Sequence, residues 1–443
     1  MKKLIFCVLS VLLFSPALRA ESTGEILTFP ANPEKGFHWG YMLYLPQTMD
    51  TSKKLPILLT MNDSGVFNSL EQLTDKTLAR LERNDHERQI ADGVGVPMLI
   101  PLVLRERGAV NTHDFNRAVF TSQEPMLKKL DEQVLRMLQA AREELKKRGM
   151  RTDKKFLVAG FSSAGGFGWR WTMLHPEYVL AAALGGELVP MLPLETMENT
   201  NLIFPVGVYD FQTYSGKKFN KKVWLKVPIL LTNGAQDYND PLSYPDCFGD
   251  EDRAVSKQVL GAGNCQQRWQ KAREFLAQYA PNVQTHTYPN MEHDTVWQDE
   301  IDFLKQHIDG GPLAPITPTD TSDRPSILPV KVSQLYWGQE APLTTDREYL
   351  EDTALLLQTR KKIPYWIRYE KTCKLDIEQN SHRVLENIPC RGLFHEPENT
   401  YLEVPFSDEQ VRQLRAYKDR TFSVRSHYPE ILEIPAELTF TVR

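Results

Sequence analysis

Short, continuously apolar runs alternate with amphipathic stretches through the middle of the chain. Leu55-Pro56-Ile57-Leu58-Leu59-Thr60-Met61, the run from Val96 to Leu104, and Phe156-Leu157-Val158-Ala159-Gly160 read as buried strands. The runs Val179 to Leu184, Ile203 to Val208, Val227 to Thr232 and Val283 to Tyr288 continue the series. Between residues 124 and 148, Met126, Leu130, Val134, Leu135, Leu138 and Ala141 recur at helical spacing, and Gly149 closes that helix. Further helices are predicted near 163–175, 266–279 and 296–308. Strands that are apolar throughout and separated by helices need cover on both faces, so the pattern predicts an α/β domain with a mostly parallel sheet.

The pattern changes at residues 310–329. Gly310-Gly311-Pro312 and four more prolines, interspersed with Thr and Ser, read as an exposed linker. Beyond it, the runs at 332–337, 364–369, 421–425 and 438–442 predict strands, with helices near 346–360 and 407–417. The expected organisation is therefore an α/β unit over 21–309, a Pro-rich linker over 310–329 and a smaller β-rich domain over 330–443.

Residues 1–20 stand apart. Lys2 and Lys3 precede an apolar run from Leu4 to Leu13, and Pro16-Ala17-Leu18-Arg19-Ala20 offers a small residue before Glu21. The run is too short to span a bilayer, so it reads as a signal peptide, with export to a periplasm or the cell exterior. The formal net charge of the chain is −5, and losing Lys2, Lys3 and Arg19 would take it to −8. So acidic a chain is a poor partner for nucleic acid or an anionic membrane, and no membrane span is expected after cleavage. With Cys7 discarded, four cysteines remain as two local pairs, and Cys247–Cys265 and Cys373–Cys390 are the expected disulfides of an oxidising compartment.

The candidate chemistry lies where three of the predicted strands end. The strand ending at Ala159 runs into Gly160-Phe161-Ser162-Ser163-Ala164-Gly165-Gly166 and then a helix. Small residues around a serine at a strand-to-helix turn are needed because the turn is tight and lifts the hydroxyl clear of the backbone. Ser162 has Gly160 two residues before it, whereas Ser163 would have the bulk of Phe161 there, so Ser162 is the better nucleophile. A serine needs a base, and the base an acid to orient it. Asp237 follows the strand at 227–232, with Asp240 as an alternative acid, and His293 follows the strand at 283–288. Serine, acid and histidine, in that order and each after its own strand, make a candidate triad.

These residues carry a resemblance. Residues 30 to 309 are similar to bacterial α/β-hydrolases of the esterase group that includes polyhydroxyalkanoate depolymerases and feruloyl esterases. The stretches Phe204-Pro205-Val206-Gly207-Val208-Tyr209-Asp210-Phe211 and Asp237-Tyr238-Asn239-Asp240 resemble a subgroup of exported esterases. The resemblance implies the triad Ser162, Asp237 and His293. It also implies an oxyanion hole built from the backbone N–H of Ser163 and that of Asp63 or Ser64. Met61-Asn62-Asp63-Ser64-Gly65 stands where the family commonly has His-Gly.

The remaining features carry less. The acidic segment 237–252 lacks the regular ligand spacing of a calcium loop and reads as a solvated loop. Trp169 and Trp171 read as core, one of them also a candidate for the cleft wall. No zinc spacing, phosphate loop or dinucleotide fingerprint is present, so neither metal nor cofactor is expected. The expected function is cleavage of carboxylic esters, soluble or polymeric, through an acyl-enzyme. A serine peptidase of the same fold and a catalytically silent binding protein are the alternatives, and the oligomeric state stays open.

Overall fold

The computed structural model describes residues 24–62, 64–106, 110–113, 115–308, 315–324, 326, 329–337, 354–359, 363, 373–392, 401–429 and 432–442. Residues 1–20, Asp63 and the predicted strand at 364–369 lie outside these.

Eight strands form the main sheet: β1 (Glu25–Phe29), β2 (Gly40–Leu45), β3 (Leu58–Leu59), β4 (Met98–Leu102), β5 (Phe156–Phe161), β6 (Val179–Gly185), β7 (Ile229–Gly234) and β8 (Val283–Tyr288). Their order is β1-β2-β4-β3-β5-β6-β7-β8. The β1–β2 and β2–β4 pairs are antiparallel, and every pair from β4 to β8 is parallel. Alternation along each strand divides the core. On β5, Phe156 and Val158 pack with one cluster, and Leu157 and Ala159 with the other. The first cluster is covered by α3 (Leu130–Lys147), α4 (Ser163–Leu174) and α6 (Cys265–Tyr279). The second is covered by α1 (Leu70–Glu82), α2 (His86–Val94) and α7 (Trp297–His307). Trp169 and Trp171 of α4 are both buried in the first cluster, away from solvent.

One predicted element of this unit differs. The run Ile203 to Val208 is a turn rather than a strand, with Val206 N–H returning to the Ile203 carbonyl at 2.7 Å. Gly207 N–H also returns to the Ile203 carbonyl at 3.1 Å and Phe204 N–H donates to Asp210 Oδ1 at 2.6 Å, so local bonds close this apolar run into a turn. Helix α5 (Asp250–Leu260), like α1, α2, β1 and β2, was not foreseen.

The C-terminal region is β-rich, as expected, with its own apolar cluster. One sheet has the order β13-β14-β10-β9-β16 and a second β12-β11-β15-β17. The strands are β9 (Val330–Trp337), β10 (Ala354–Thr359), β11 (Lys374–Gln379), β12 (His382–Pro389), β13 (Arg391–Gly392), β14 (Tyr401–Pro405), β15 (Thr421–Ser426), β16 (Leu432–Glu433) and β17 (Thr439–Thr441). Residues 354–359 form a strand between β9 and β14, not part of a helix. Ala-Leu-Leu-Leu fits either structure, and two flanking ladders decide it. Helix α8 (Asp408–Arg415) falls inside the predicted 407–417.

Cys373 and Cys390 are bonded, closing the ends of the β11–β12 hairpin. Cys247 and Cys265 are not bonded to each other, against expectation. Cys265 opens α6 and directs its sulfur to the Asp237 carbonyl at 3.7 Å, whereas Cys247 accepts from the Asn111 amide at 3.2 Å. Helix α5 intervenes between them, so nearness in sequence does not become nearness of sulfurs.

Candidate functional site

Ser162 occupies the turn between β5 and α4 with φ 58° and ψ −124°, a conformation that costs a non-glycine residue strain. Close packing holds it there. A Cβ on Gly160 would collide with the Ala164 carbonyl, and one on Gly165 with the Gly185 carbonyl. Ser162 N–H donates to Gly185 O at 2.8 Å. The second glycine of the usual pattern is replaced by Ala164, but Gly165 makes the closest approach to the neighbouring strand.

The three predicted side chains meet. His293 Nε2 lies 2.8 Å from Ser162 Oγ, and His293 Nδ1 lies 2.7 Å from Asp237 Oδ2. Asp237 is fully buried and His293 nearly so. An ionised carboxylate only accepts, so Nδ1 carries the proton and Nε2 is left with a lone pair facing the hydroxyl. The other Asp237 oxygen accepts from Asn239 N–H at 2.9 Å. Asn239 also stands 3.3 Å from His293 Nε2, steadied by the Tyr244 hydroxyl at 2.6 Å. Asp240, the alternative acid, points elsewhere: it pairs with buried Arg268 and caps Leu242 N–H at 3.1 Å. Other carboxylates of the acidic segment have similar partners, Asp246 with Arg105, Asp250 with Arg253 and Asp252 with Arg117.

The histidine loop rests on a buried polar chain. The Thr232 and Thr295 hydroxyls lie 3.0 Å apart, and Thr295 donates to Glu300 Oε1 at 3.0 Å. Glu300 is fully buried, and burial pushes its carboxyl well above the usual range, favouring the neutral form.

A cleft of about 370 Å³ opens over Ser162 and His293. Ser64 lines it, whereas Asp63 lies outside the described residues. The loop bearing Ser64 is tied down twice. The Asn62 side chain exchanges two hydrogen bonds with the Val103 backbone, at 3.2 and 3.1 Å. Arg105 donates to the Ser64 carbonyl at 3.0 Å and pairs with Asp246. Ser163 is the first residue of α4, where helix geometry leaves its N–H without an intrahelical acceptor at the positive end of the dipole.

The far wall of the cleft was not foreseen. It comprises Arg80, His86, Glu87 and Ile90 from the α1–α2 hairpin and Trp297 from α7. The His86 ring stacks on Trp297 with centroids 4.2 Å apart, and Arg80 pairs with Glu87 at 2.6 Å. The capping pair Ser69 and Gln72 marks the start of α1 in the sequence, but nothing local tells that this hairpin reaches the serine.

No family model matches the chain, and no curated protein matches it. Solved structures do. Poly(aspartic acid) hydrolase-1 from Sphingomonas sp. KT-1 is 13% identical, over 65% of this chain and 98% of that one, with a TM-score of 0.43. The poly(3-hydroxybutyrate) depolymerase LpqC from Bordetella parapertussis is 15% identical, over 68% and 93%, with a TM-score of 0.42. A ferulic acid esterase from Anaeromyces mucronatus is 13% identical, over 65% and 90%, with a TM-score of 0.35. The order of the sheet, the helices on both its faces and the strand–turn–helix at Ser162 are this chain's own features, and on them it has the α/β-hydrolase fold.

Proposed function

We propose that this chain is an exported serine hydrolase that cleaves carboxylic esters through an acyl-enzyme on Ser162. The observation that carries this reading is the unbroken line from Ser162 Oγ through His293 to buried Asp237, opening into a cleft. Ser162 Oγ attacks the ester carbonyl carbon while its proton passes to His293 Nε2. Asp237 holds the imidazole in the required tautomer and stabilises the imidazolium. The oxyanion meets the Ser163 N–H and the positive end of α4, with the backbone around Asp63 and Ser64 as the second donor. His293 then protonates the leaving alkoxide, and water, deprotonated by the same imidazole, releases the acid. The bridge between Cys373 and Cys390 supports export, because such bonds persist in oxidising compartments.

The test is labelling by a fluorophosphonate, followed by turnover on p-nitrophenyl esters of increasing acyl length. Ser162→Ala should abolish labelling and lower kcat by roughly a million-fold, while Ser163→Ala should still label. Loss of labelling in Ser163→Ala alone would refute the assignment. Efficient cleavage of proline-containing peptides with negligible esterase activity would make the enzyme a peptidase instead.

A further inference from the structure

Residues 315–324 and Ser326 belong to the stretch whose composition reads as an exposed linker, yet Ile316, Thr319, Thr321 and Ser326 are bonded to the α/β unit. Ile316 exchanges two hydrogen bonds with the Gln284 side chain on β8, at 3.2 and 3.1 Å. The N–H and hydroxyl of Thr319 both donate to buried Asp299 on α7, at 2.8 and 2.6 Å. Thr321 is buried and donates to the Pro289 carbonyl. Three of the six positions from Ile316 to Thr321 are thus bonded, one each to β8, α7 and the loop after β8.

The end of this segment reaches the residues beside the acid and the base. The Gln236 amide donates to Ser326 Oγ at 2.7 Å and to Asn290 Oδ1 at 3.2 Å. The Asn290 amide in turn donates to the Ser322 carbonyl at 2.8 Å. Gln236 N–H also donates to Met291 O at 2.8 Å. Gln236 directly precedes Asp237, and Asn290 lies in the loop that delivers His293. Tyr238, on the other side of Asp237, packs against both the α/β core and the C-terminal core. The ladder between β7 and β8 ends at Gly234 and Tyr288, and beyond it the acid and histidine loops are joined by the backbone bonds of Ala235 and Gln236 and by the side-chain bonds of Gln236, Asn290 and Ser326. A hydrogen bond of 2.7 Å between Asp237 and His293 tolerates little relative movement.

We propose that residues 315–324 together with Ser326 form a strap that positions the Asp237–His293 pair through Gln236, Asn290 and Ser326. The inference rests on reading Ser162, Asp237 and His293 as the triad. Gln236 and Ser326 are then positioning residues: neither is among the residues lining the cleft over Ser162, and they act through the loops they join.

The test uses the full chain, with Gln236→Leu, Ser326→Ala, Ser326→Thr and the double variant Thr321→Val/Ser326→Ala. Three readouts apply: the rate of fluorophosphonate labelling, the low-field proton signal of the His293 Nδ1–H, and the melting temperature. Gln236→Leu and the double variant should label roughly tenfold more slowly, as expected for a small misplacement of reacting groups. Their low-field signal should broaden or shift, and Ser326→Thr, which keeps the hydroxyl, should behave as wild type. Wild-type labelling and an unchanged signal in both variants would overturn the proposal, as would a loss of labelling that follows only the melting temperature. Ser162→Ala run alongside separates the two readings: if it still labels, the triad has failed, whatever the strap variants do.

Discussion

At the scale of single residues, the site depends on a backbone conformation that only close packing maintains. Gly165 leaves no room for a side chain against the Gly185 carbonyl. Gly165→Ala should therefore destabilise the protein by about 1–3 kcal/mol, measured as a lower denaturation midpoint, with slower probe labelling of the folded fraction. Arg105 is a second such point. It joins the Ser64 carbonyl to Asp246, and so ties the loop proposed to stabilise the oxyanion to the loop that follows the acid. Arg105→Gln should lower kcat roughly tenfold on short p-nitrophenyl esters, with KM little changed. Lysine should not restore it, because a single ammonium lacks the fork that reaches both acceptors. A rise in KM with kcat intact would assign Arg105 to substrate binding instead. Ser162 was readable from the glycine two residues before it. Arg105 was not, because its role exists only once two distant loops are side by side.

At the scale of elements, helix α7 carries a buried acid beneath the histidine loop. Burial raises the folded-state pKa of Glu300 above its unfolded value. The associated stability is fully present below the ordinary glutamate range and is lost as pH rises through the folded-state value. Glu300→Gln keeps a neutral hydrogen-bonding group and has no proton to lose. Its melting temperature relative to wild type should therefore climb as pH rises above the ordinary glutamate range, as followed by thermal denaturation across a pH series. A difference independent of pH would show that Glu300 titrates as an ordinary carboxyl. The disulfides belong to this scale too. The bond between Cys373 and Cys390 closes a hairpin with a sequence separation of 17 and should contribute about 3 kcal/mol through the unfolded state. Non-reducing peptide mapping should find that bridge and none between Cys247 and Cys265. The two pairs have almost equal spacing in sequence, and spacing alone could not separate a hairpin from a segment containing α5.

At the scale of the whole molecule, part of the Pro-rich segment is tied to the α/β unit by hydrogen bonds. Proline and glycine mark residues 310–329, but Ile316, Thr319 and Thr321 are held by β8, α7 and the loop after β8. A chain ending at Gly311 should therefore melt lower and label more slowly than one ending at Pro329, and the full chain should label fastest because Tyr238 keeps its second core. Equal melting and labelling for both truncations would restore the reading of 310–329 as a plain linker.

The alternation of apolar strands and helices was legible in the sequence, because a strand buried on both faces must be apolar throughout. The turn at Ser162 was legible too, because its geometry demands small residues at particular offsets. The candidate acid and base could be placed because each follows a strand, and strand ends gather at one edge of a parallel sheet. Only the tertiary structure could show that Asp240 is committed to Arg268, that the α1–α2 hairpin walls the cleft, and that a Pro-rich segment grips the sheet edge. Each of these depends on a contact between residues far apart in the chain, chosen by packing and hydrogen-bond satisfaction, and no local pattern encodes which partners will meet.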